Sequence, residues 1–189
     1  FGPNLTPASL PTAEPMQETT PIPTVEPTPL PTETPSVPPP SGFIVFVSQR
    51  DGNDEIYVVR ADGVGLTRLT NNTYADVDPT WSPDGRQIAF ASNRDGNMEI
   101  YVMSVDGSNQ VRLTQDAGND GNPTWSPDGT RIAFECYRSA NPEICVVNTD
   151  GGDPAQLTYE PAVDAMPAWS PNVSQIAFMS SRAGNADIY

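Results

Sequence analysis

Short apolar runs alternate with polar turn residues throughout residues 43–189. The longest apolar run, Phe43-Ile44-Val45-Phe46-Val47, has five residues, and Gly, Asp, Asn and Pro separate the runs. No stretch keeps the 3.6-residue apolar period of an amphipathic helix. The pattern therefore predicts an all-β fold of short strands joined by tight turns.

The pattern itself repeats every 44 residues, a spacing that several short motifs share. "IAF" begins at 88, 132 and 176, "RLT" begins at 68 and 112, and "QLT" begins at 156. Two polar series keep the same phase: Arg50, Arg94, Arg138 and Arg182, and Glu55, Glu99, Glu143 and Asp187. Each unit predicts four strands, A to D, which is typical of one β-propeller blade. Because a lone blade exposes both faces, we expect the blades to stack around a common axis.

A Trp-Ser-Pro turn marks the end of strand A in the second, third and fourth units. Its tryptophans and prolines are Trp81, Trp125, Trp169, Pro83, Pro127 and Pro171. "SPDG" suits a type I turn, since Pro fixes φ at the second position and Gly accepts a positive φ at the fourth. Asn172-Val173 replaces Asp-Gly in the last unit, where we expect a looser turn. The preceding Trp offers a large flat surface to a neighbouring sheet.

These motifs, as in "IAFASNRDGNMEIYVMSVDGSNQVRLT" and "NPTWSPDGTR", resemble the WD-like repeat of the TolB family. They are also similar to the propellers of prolyl-oligopeptidase-type peptidases. The resemblance covers nearly all of residues 43–189 and implies a propeller of four-stranded antiparallel blades. The expected units are a partial first blade (43–70), two blades (78–114 and 122–158) and a partial last blade (166–189). We expect an incomplete ring, the N-terminal part of a six- to eight-bladed propeller, completed by a distant C-terminal strand or by other copies of the chain.

Residues 1–42 differ in composition, with 13 Pro, eight Thr, four Glu and no basic residue. Proline blocks helices and removes backbone donors, and the segment has too little apolar surface to form a core. We predict a disordered linker or stalk, partly polyproline II. A membrane tether would lie upstream of Phe1.

The chain carries 24 acidic residues against nine arginines, a net charge of −15. This charge argues against nucleic acid, whose binding depends on cationic contacts to phosphates. It favours basic protein or peptide partners, including partners in the cell envelope. No apolar run approaches the roughly 20 residues of a membrane-spanning helix.

Acidic residues also supply the candidate binding site. Asp76, Asp120 and Asp164 share a phase just before strand A, so we expect them at one mouth of the channel with Asp51 and Asp95 from the B–C turns. This set would form a cation site or a docking surface; the alternative is strand capping and a solvated acidic rim. The stretch "DGNDE" (51–55) loosely resembles a calcium loop but lacks its 12-residue pattern, which favours a hairpin turn and no cofactor.

Two residue pairs have structural interpretations. Arg94 and Glu99 flank a B–C turn, where we expect an ion pair within the hairpin. Cys136 and Cys145 lie on strands B and C of the third unit. Either a disulfide, which an extracytoplasmic location permits, or two buried thiols fits this placement.

The sequence gives no support for a catalytic role, because the chain has no His and no "GxSxG" motif. The resemblance to TolB implies a non-catalytic scaffold, periplasmic or extracellular, that binds a protein partner. Two alternatives stay open. One is an outward-facing sensor domain of a bacterial receptor kinase, and the other is the gating propeller of a prolyl-oligopeptidase-like serine peptidase.

Overall fold

The computed structural model describes residues 42–189, and its regular structure within this range is entirely β-strand. The strands are β1 (Phe43–Ser48), β2 (Glu55–Arg60), β3 (Thr67–Arg68), β4 (Asp76–Trp81), β5 (Gln87–Ser92), β6 (Glu99–Ser104), β7 (Val111–Arg112), β8 (Asp120–Trp125), β9 (Arg131–Cys136), β10 (Glu143–Asn148), β11 (Ala155–Gln156), β12 (Asp164–Trp169), β13 (Ile176–Ser180) and β14 (Asp187–Ile188). Across residues 42–189 the structure shows no helix able to cross a membrane. The prediction for residues 1–42 falls, apart from Gly42, outside the described residues.

The strands form four antiparallel sheets, which we call blades 1 to 4. Blade 1 has the order β1-β2-β3, blade 2 β4-β5-β6-β7, blade 3 β8-β9-β10-β11 and blade 4 β12-β13-β14. Each sheet is a simple meander, because tight turns connect strands that are consecutive in the chain. Strand A is β4, β8 and β12; strand B is β1, β5, β9 and β13; strand C is β2, β6, β10 and β14; strand D is β3, β7 and β11. The predicted all-β class of antiparallel, propeller-type blades is confirmed.

The central strands of blades 2 and 3 are buried on both faces, which explains their continuous apolar runs. In β5, every residue from Ile88 to Ser92 is buried, and in β6 every residue from Glu99 to Met103 is buried. A strand with one solvent-exposed face would instead alternate apolar and polar residues. Both faces are covered here because each blade lies between two neighbours.

Two apolar clusters fill the spaces between adjacent blades. One joins blades 1 and 2 through Ile56 and Val58 on one side and Phe90 and Met103 on the other. The second joins blades 2 and 3 and includes Trp125, which is 7% exposed. Face-to-face packing is therefore the source of the core.

The Trp-Ser-Pro turns have the predicted geometry. In the first, Gly85 N–H donates to the Ser82 carbonyl at 2.9 Å, with φ of +67° at Gly85. The last turn is not looser, contrary to expectation. Val173 N–H donates to the Ser170 carbonyl at 3.0 Å, and Val173 takes a φ of +61°. The hydrogen bonds of the turn thus impose a left-handed conformation that a β-branched residue rarely adopts.

Candidate partner-binding rim

The B–C turns and the D–A loops lie at the same end of the blades, which we call the rim. The turns span 49–54, 93–98 and 137–142, and the loops span 69–75, 113–119 and 157–163. An asparagine in each turn ties it to the loop beside it. Asn97 Nδ2 donates to the Asp116 carbonyl at 3.2 Å, and Asn141 Nδ2 donates to the Glu160 carbonyl at 3.0 Å. Sequence reasoning missed this role, although Asn53, Asn97 and Asn141 recur in phase.

The aspartates that begin strand A are buried, not exposed at the rim. Asp76 and Asp164 are both 0% exposed and Asp120 is 1% exposed. Asp76 pairs with Arg94 at 2.8 Å, and Asp164 pairs with Arg182 at 2.7 Å. The expectation that these three carboxylates line an accessible docking surface is therefore wrong. In blades 2 and 4, the arginine of the B–C turn folds over the end of strand A and covers the carboxylate.

Each of these arginines is held by rings as well as by charge. The Arg94 guanidinium lies 5.3 Å from the centre of the Phe90 ring and 4.7 Å from that of Tyr101. Its Nε donates to Ser92 Oγ at 2.9 Å. The same arrangement holds Arg50 against Phe46, Tyr57 and Ser48, and Arg182 against Phe178, Tyr189 and Ser180. We call this arrangement the arginine clamp.

The glutamate that begins strand C belongs to a separate cluster. Glu99 is 0% exposed, and its Oε1 accepts a hydrogen bond from Arg112 at 2.7 Å. Its Oε2 accepts the Thr114 hydroxyl at 2.7 Å. The predicted Arg94–Glu99 pair is therefore wrong: Arg94 reaches strand A, and Glu99 takes its arginine from strand D.

Blade 1 repeats this second cluster with Glu55 as the buried carboxylate. Arg68 donates to Glu55 at 2.8 Å, and the Asn72 N–H donates to it at 2.9 Å. Burial alone would raise the pKa of Glu55, but the hydrogen bonds from Thr70, Asn72 and Arg68 together lower that pKa below its ordinary value.

Asp51 and Asp95 are the predicted site residues that remain accessible. Their side chains are 48% and 47% exposed. Each accepts a hydrogen bond from a tyrosine of strand C, Tyr57 or Tyr101. Burial of Tyr101 and its bond to Asp95 raise the pKa of this phenol, which therefore stays neutral and donates.

The third unit departs from the others at the same positions. Cys136 and Cys145 form a disulfide, with Cα atoms 5.9 Å apart. These residues stand where blade 2 has Ser92 and Tyr101. Arg138 pairs with Asp116 at 2.8 Å instead of with Asp120.

Cation ligands do not gather at the rim. Within the described part of the chain, no three His, Cys, Asp or Glu side chains are arranged to hold a metal ion. Residues 51–54 lie in the turn between β1 and β2, where Gly52 N–H donates to the Gln49 carbonyl at 3.0 Å, and Glu55 begins β2. That the protein needs no cofactor stays a prediction.

A second surface lies along the inner edges of the blades, and sequence reasoning missed it. Strand A of blades 2, 3 and 4 carries a bulge whose first residue has a positive φ and whose second is proline: Asp78-Pro79, Asn122-Pro123 and Met166-Pro167. These residues line a groove of about 280 Å³. Glu135 Oε1 accepts hydrogen bonds there from Met166 N–H at 2.8 Å and from Asn122 Nδ2 at 2.9 Å. The recurring X-Pro, two residues before each Trp, was the available signal.

Comparison with known proteins agrees with this architecture. The family model of the TolB β-propeller domain matches residues 18–120 and 114–189. This chain belongs to the TolB β-propeller domain family. The predicted resemblance to TolB is thereby confirmed.

This chain is similar to individual TolB proteins over part of their length. The Tol-Pal system protein TolB of Geobacter sulfurreducens is 45% identical over 49 residues, 26% of this chain and 11% of that protein. A TolB structure from Agrobacterium tumefaciens has a TM-score of 0.68 and 28% identity, over 77% of this chain and 53% of its own. TolB from Acinetobacter baumannii has a TM-score of 0.70 and 24% identity, over 79% of this chain and 38% of its own, which shows the shared fold. The chain thus spans about half the length of the Agrobacterium protein and less than half of the Acinetobacter protein.

Proposed function

We propose that this TolB-family propeller is a non-catalytic binding module of the cell envelope, periplasmic or extracellular. Its partner is a basic protein or peptide that docks on the rim. The observation that carries this proposal is the pair of half-exposed carboxylates, Asp51 and Asp95, on neighbouring B–C turns of a chain with a net charge of −15.

The rim also presents aromatic surface beside these carboxylates. Tyr74, Tyr137 and Tyr159 are 46%, 43% and 75% exposed, in the loops and turns of this end. Tyrosine supplies apolar contact area and a hydrogen-bonding hydroxyl, and for this reason it is enriched at protein interfaces. Carboxylates around such anchors favour a basic partner and raise its rate of association.

An extracytoplasmic location agrees with the disulfide between Cys136 and Cys145. Disulfides persist in oxidising compartments and are rare in the cytosol. The absence of His from the whole chain supports a non-catalytic role, because it removes the usual general base.

The test compares two double variants with equal charge changes at opposite ends of the blades. Asp51→Asn with Asp95→Asn neutralises the rim. Asp62→Asn with Asp106→Asn neutralises two C–D turns, where both aspartates are exposed. Proteins crosslinked to the wild type in an envelope extract are identified, purified and bound again to all three forms.

We expect the rim variant to bind its partner at least about tenfold more weakly at low salt, and the control variant to bind like wild type. A partner that binds both variants equally, or the absence of any partner, would contradict the proposal.

A further inference from the structure

We propose that Asp120 is a proton-binding group at the junction of blades 2 and 3, left without a counter-ion because Arg138 pairs with Asp116. The junction would then respond to pH. This inference is independent of the proposed docking function.

The chain supplies its own comparison for this site. Asp76 and Asp164 begin strand A of blades 2 and 4, and each is paired with the arginine of its own blade. Asp120 begins strand A of blade 3 and is equally buried. Neither of its carboxylate oxygens accepts a hydrogen bond among the described residues. One of three equivalent carboxylates therefore lacks the partner that the other two have.

The missing partner is present in the sequence but points elsewhere. Arg138 donates to Asp116 Oδ2 from Nε at 3.0 Å and from Nη2 at 2.8 Å. Its Nη1 donates to the Pro154 carbonyl at 3.2 Å. The hydrogen bonds of Arg138 among the described residues thus go to groups other than Asp120. Both donors bind the same oxygen of Asp116, and hydrogen bonds between charged groups are stronger than those between neutral groups.

The disulfide explains why Arg138 does not take the arginine-clamp position. Arg50 keeps the clamped position against two rings and Ser48 although no carboxylate pairs with it among residues 42–189. The rings and the serine are therefore sufficient to hold an arginine there. In the third unit, Cys136 replaces the serine and Cys145 replaces the tyrosine, and both sulfurs are consumed in the disulfide. Arg138 has lost an acceptor and an aromatic face.

The groups that face Asp120 from each neighbouring element favour its protonated form. Burial is the largest influence and raises the pKa of Asp120 to about 7. The carboxylates of Asp116, in the D–A loop, and Glu99, on β6, contribute to this raised pKa. The Thr114 hydroxyl and Arg138 lower it, but the Thr114 proton is donated to Glu99 at 2.7 Å. On β9, the residue opposite Asp120 is the uncharged Cys136.

The site lies where a charge would affect packing between blades. Asp120 N–H donates to the Met98 carbonyl at 2.8 Å, which joins β8 to the B–C turn of blade 2. A neutral carboxylic acid fits this buried position at low pH. Once the proton leaves, an unpaired charge remains inside the protein, which costs free energy unless the junction opens or Arg138 moves.

The direct experiment is a carbon-13 NMR titration of the aspartate carboxyl groups in the folded protein. Asp120→Asn identifies the resonance by its disappearance. We expect the Asp120 carboxyl to titrate near neutral pH, far above the ordinary value of about 3.9. An Asp120 resonance that is already ionised at pH 5 would overturn the proposal.

Two further variants test the role of Arg138. Asp116→Asn removes the competing carboxylate, and its loop can keep its shape because Asn retains the oxygen that accepts Gly118 N–H. Cys136→Ser with Cys145→Tyr restores the residues of blade 2. In either variant we expect Arg138 to pair with Asp120 and the pKa of Asp120 to fall to about 3.9 or below. If the double variant does not fold, Asp116→Asn alone decides. An unchanged Asp120 titration in a folded Asp116→Asn protein would show that Arg138 does not control this proton.

Discussion

The indole N–H of Trp125 donates to the carbonyl oxygen of Thr80 at 3.3 Å, a hydrogen bond between strand A of blade 3 and strand A of blade 2. Trp169 makes the same bond to Thr124 at 3.2 Å, one unit further along. The Trp-Ser-Pro repeat therefore does more than reverse the chain. It joins each blade to the preceding one near the inner edge, where the strands are closest to the common axis.

Trp125→Phe should destabilise the protein by about 1–2 kcal/mol more than the same change at Trp81, since both variants keep only a smaller aromatic ring but the Thr80 carbonyl also loses its donor. Trp81→Phe is the matched control. Trp81 is partly buried, and no hydrogen bond of its indole N–H is seen among residues 42–189. Denaturant unfolding of both variants measures the difference. Equal losses in the two variants would show that the inter-blade hydrogen bond contributes nothing.

Arg94→Ala should cost more than Arg50→Ala, although both side chains lie over the same kinds of ring. Removal of Arg94 leaves the fully buried Asp76 carboxylate without its cation, a change that typically costs about 3–5 kcal/mol. Arg50 has no carboxylate partner among the described residues, so its loss removes a cation–π contact of about 1 kcal/mol.

A second substitution shows whether the unpaired charge causes that loss. Asp76→Asn, added to Arg94→Ala, should recover part of the lost stability, because a neutral amide replaces the buried carboxylate. Equilibrium unfolding at pH 7 measures the stability of the wild type, Arg50→Ala, Arg94→Ala and the double variant. A double variant that is less stable than Arg94→Ala would contradict this explanation.

Asp128 should make the protein sensitive to acid. Hydrogen bonds from Ser126 and Thr130 lower the pKa of this carboxyl to about 2. Because the folded pKa lies below the unfolded value of about 3.9, the carboxylate stabilises the fold above that value. This contribution is lost as the pH falls through the folded pKa of about 2.

Asp128→Asn copies the fourth unit, where Asn172 accepts the Ser170 hydroxyl at 2.8 Å. The variant should fold normally, and its stability should fall less than that of the wild type between pH 4 and pH 2. Thermal unfolding at several pH values measures this. Parallel pH profiles for the two proteins would contradict the assignment.

Val173 and Gly129 occupy equivalent turn positions, with φ of +61° and +71°. A left-handed conformation costs a residue with a Cβ atom about 1–2 kcal/mol. Gly129→Val should therefore destabilise by about that amount, and Val173→Gly should be neutral or stabilising by up to about 1 kcal/mol. Unfolding midpoints of both variants test this. Destabilisation by both would show that the side chain of Val173 matters more than its backbone.

The meander could be read from the sequence because its causes are local. Apolar runs and turn residues recur in phase, and each acts within a few neighbouring positions. The partners of the charged residues could not be read in this way. Arg94 and Asp76 are 18 residues apart, and they meet because the Arg94 side chain bends over two rings before it reaches strand A.

Burial of the strand A aspartates was missed for a related reason. Aspartate is common in exposed turns, so the residue type gives no sign that Asp76, Asp120 and Asp164 are buried or that arginines cover Asp76 and Asp164. The phase of the repeat offered a usable signal, because arginines and aspartates recur together in every complete unit. Only coordinates show that the third unit breaks this pairing.

Hydrogen exchange of the three indole protons tests most directly whether the blades pack face to face. In an NMR experiment at neutral pH, we expect the Trp125 and Trp169 indole protons to exchange much more slowly than that of Trp81, since each is donated to the preceding blade. Equally fast exchange at all three tryptophans would mean that the sheets do not stack in this way.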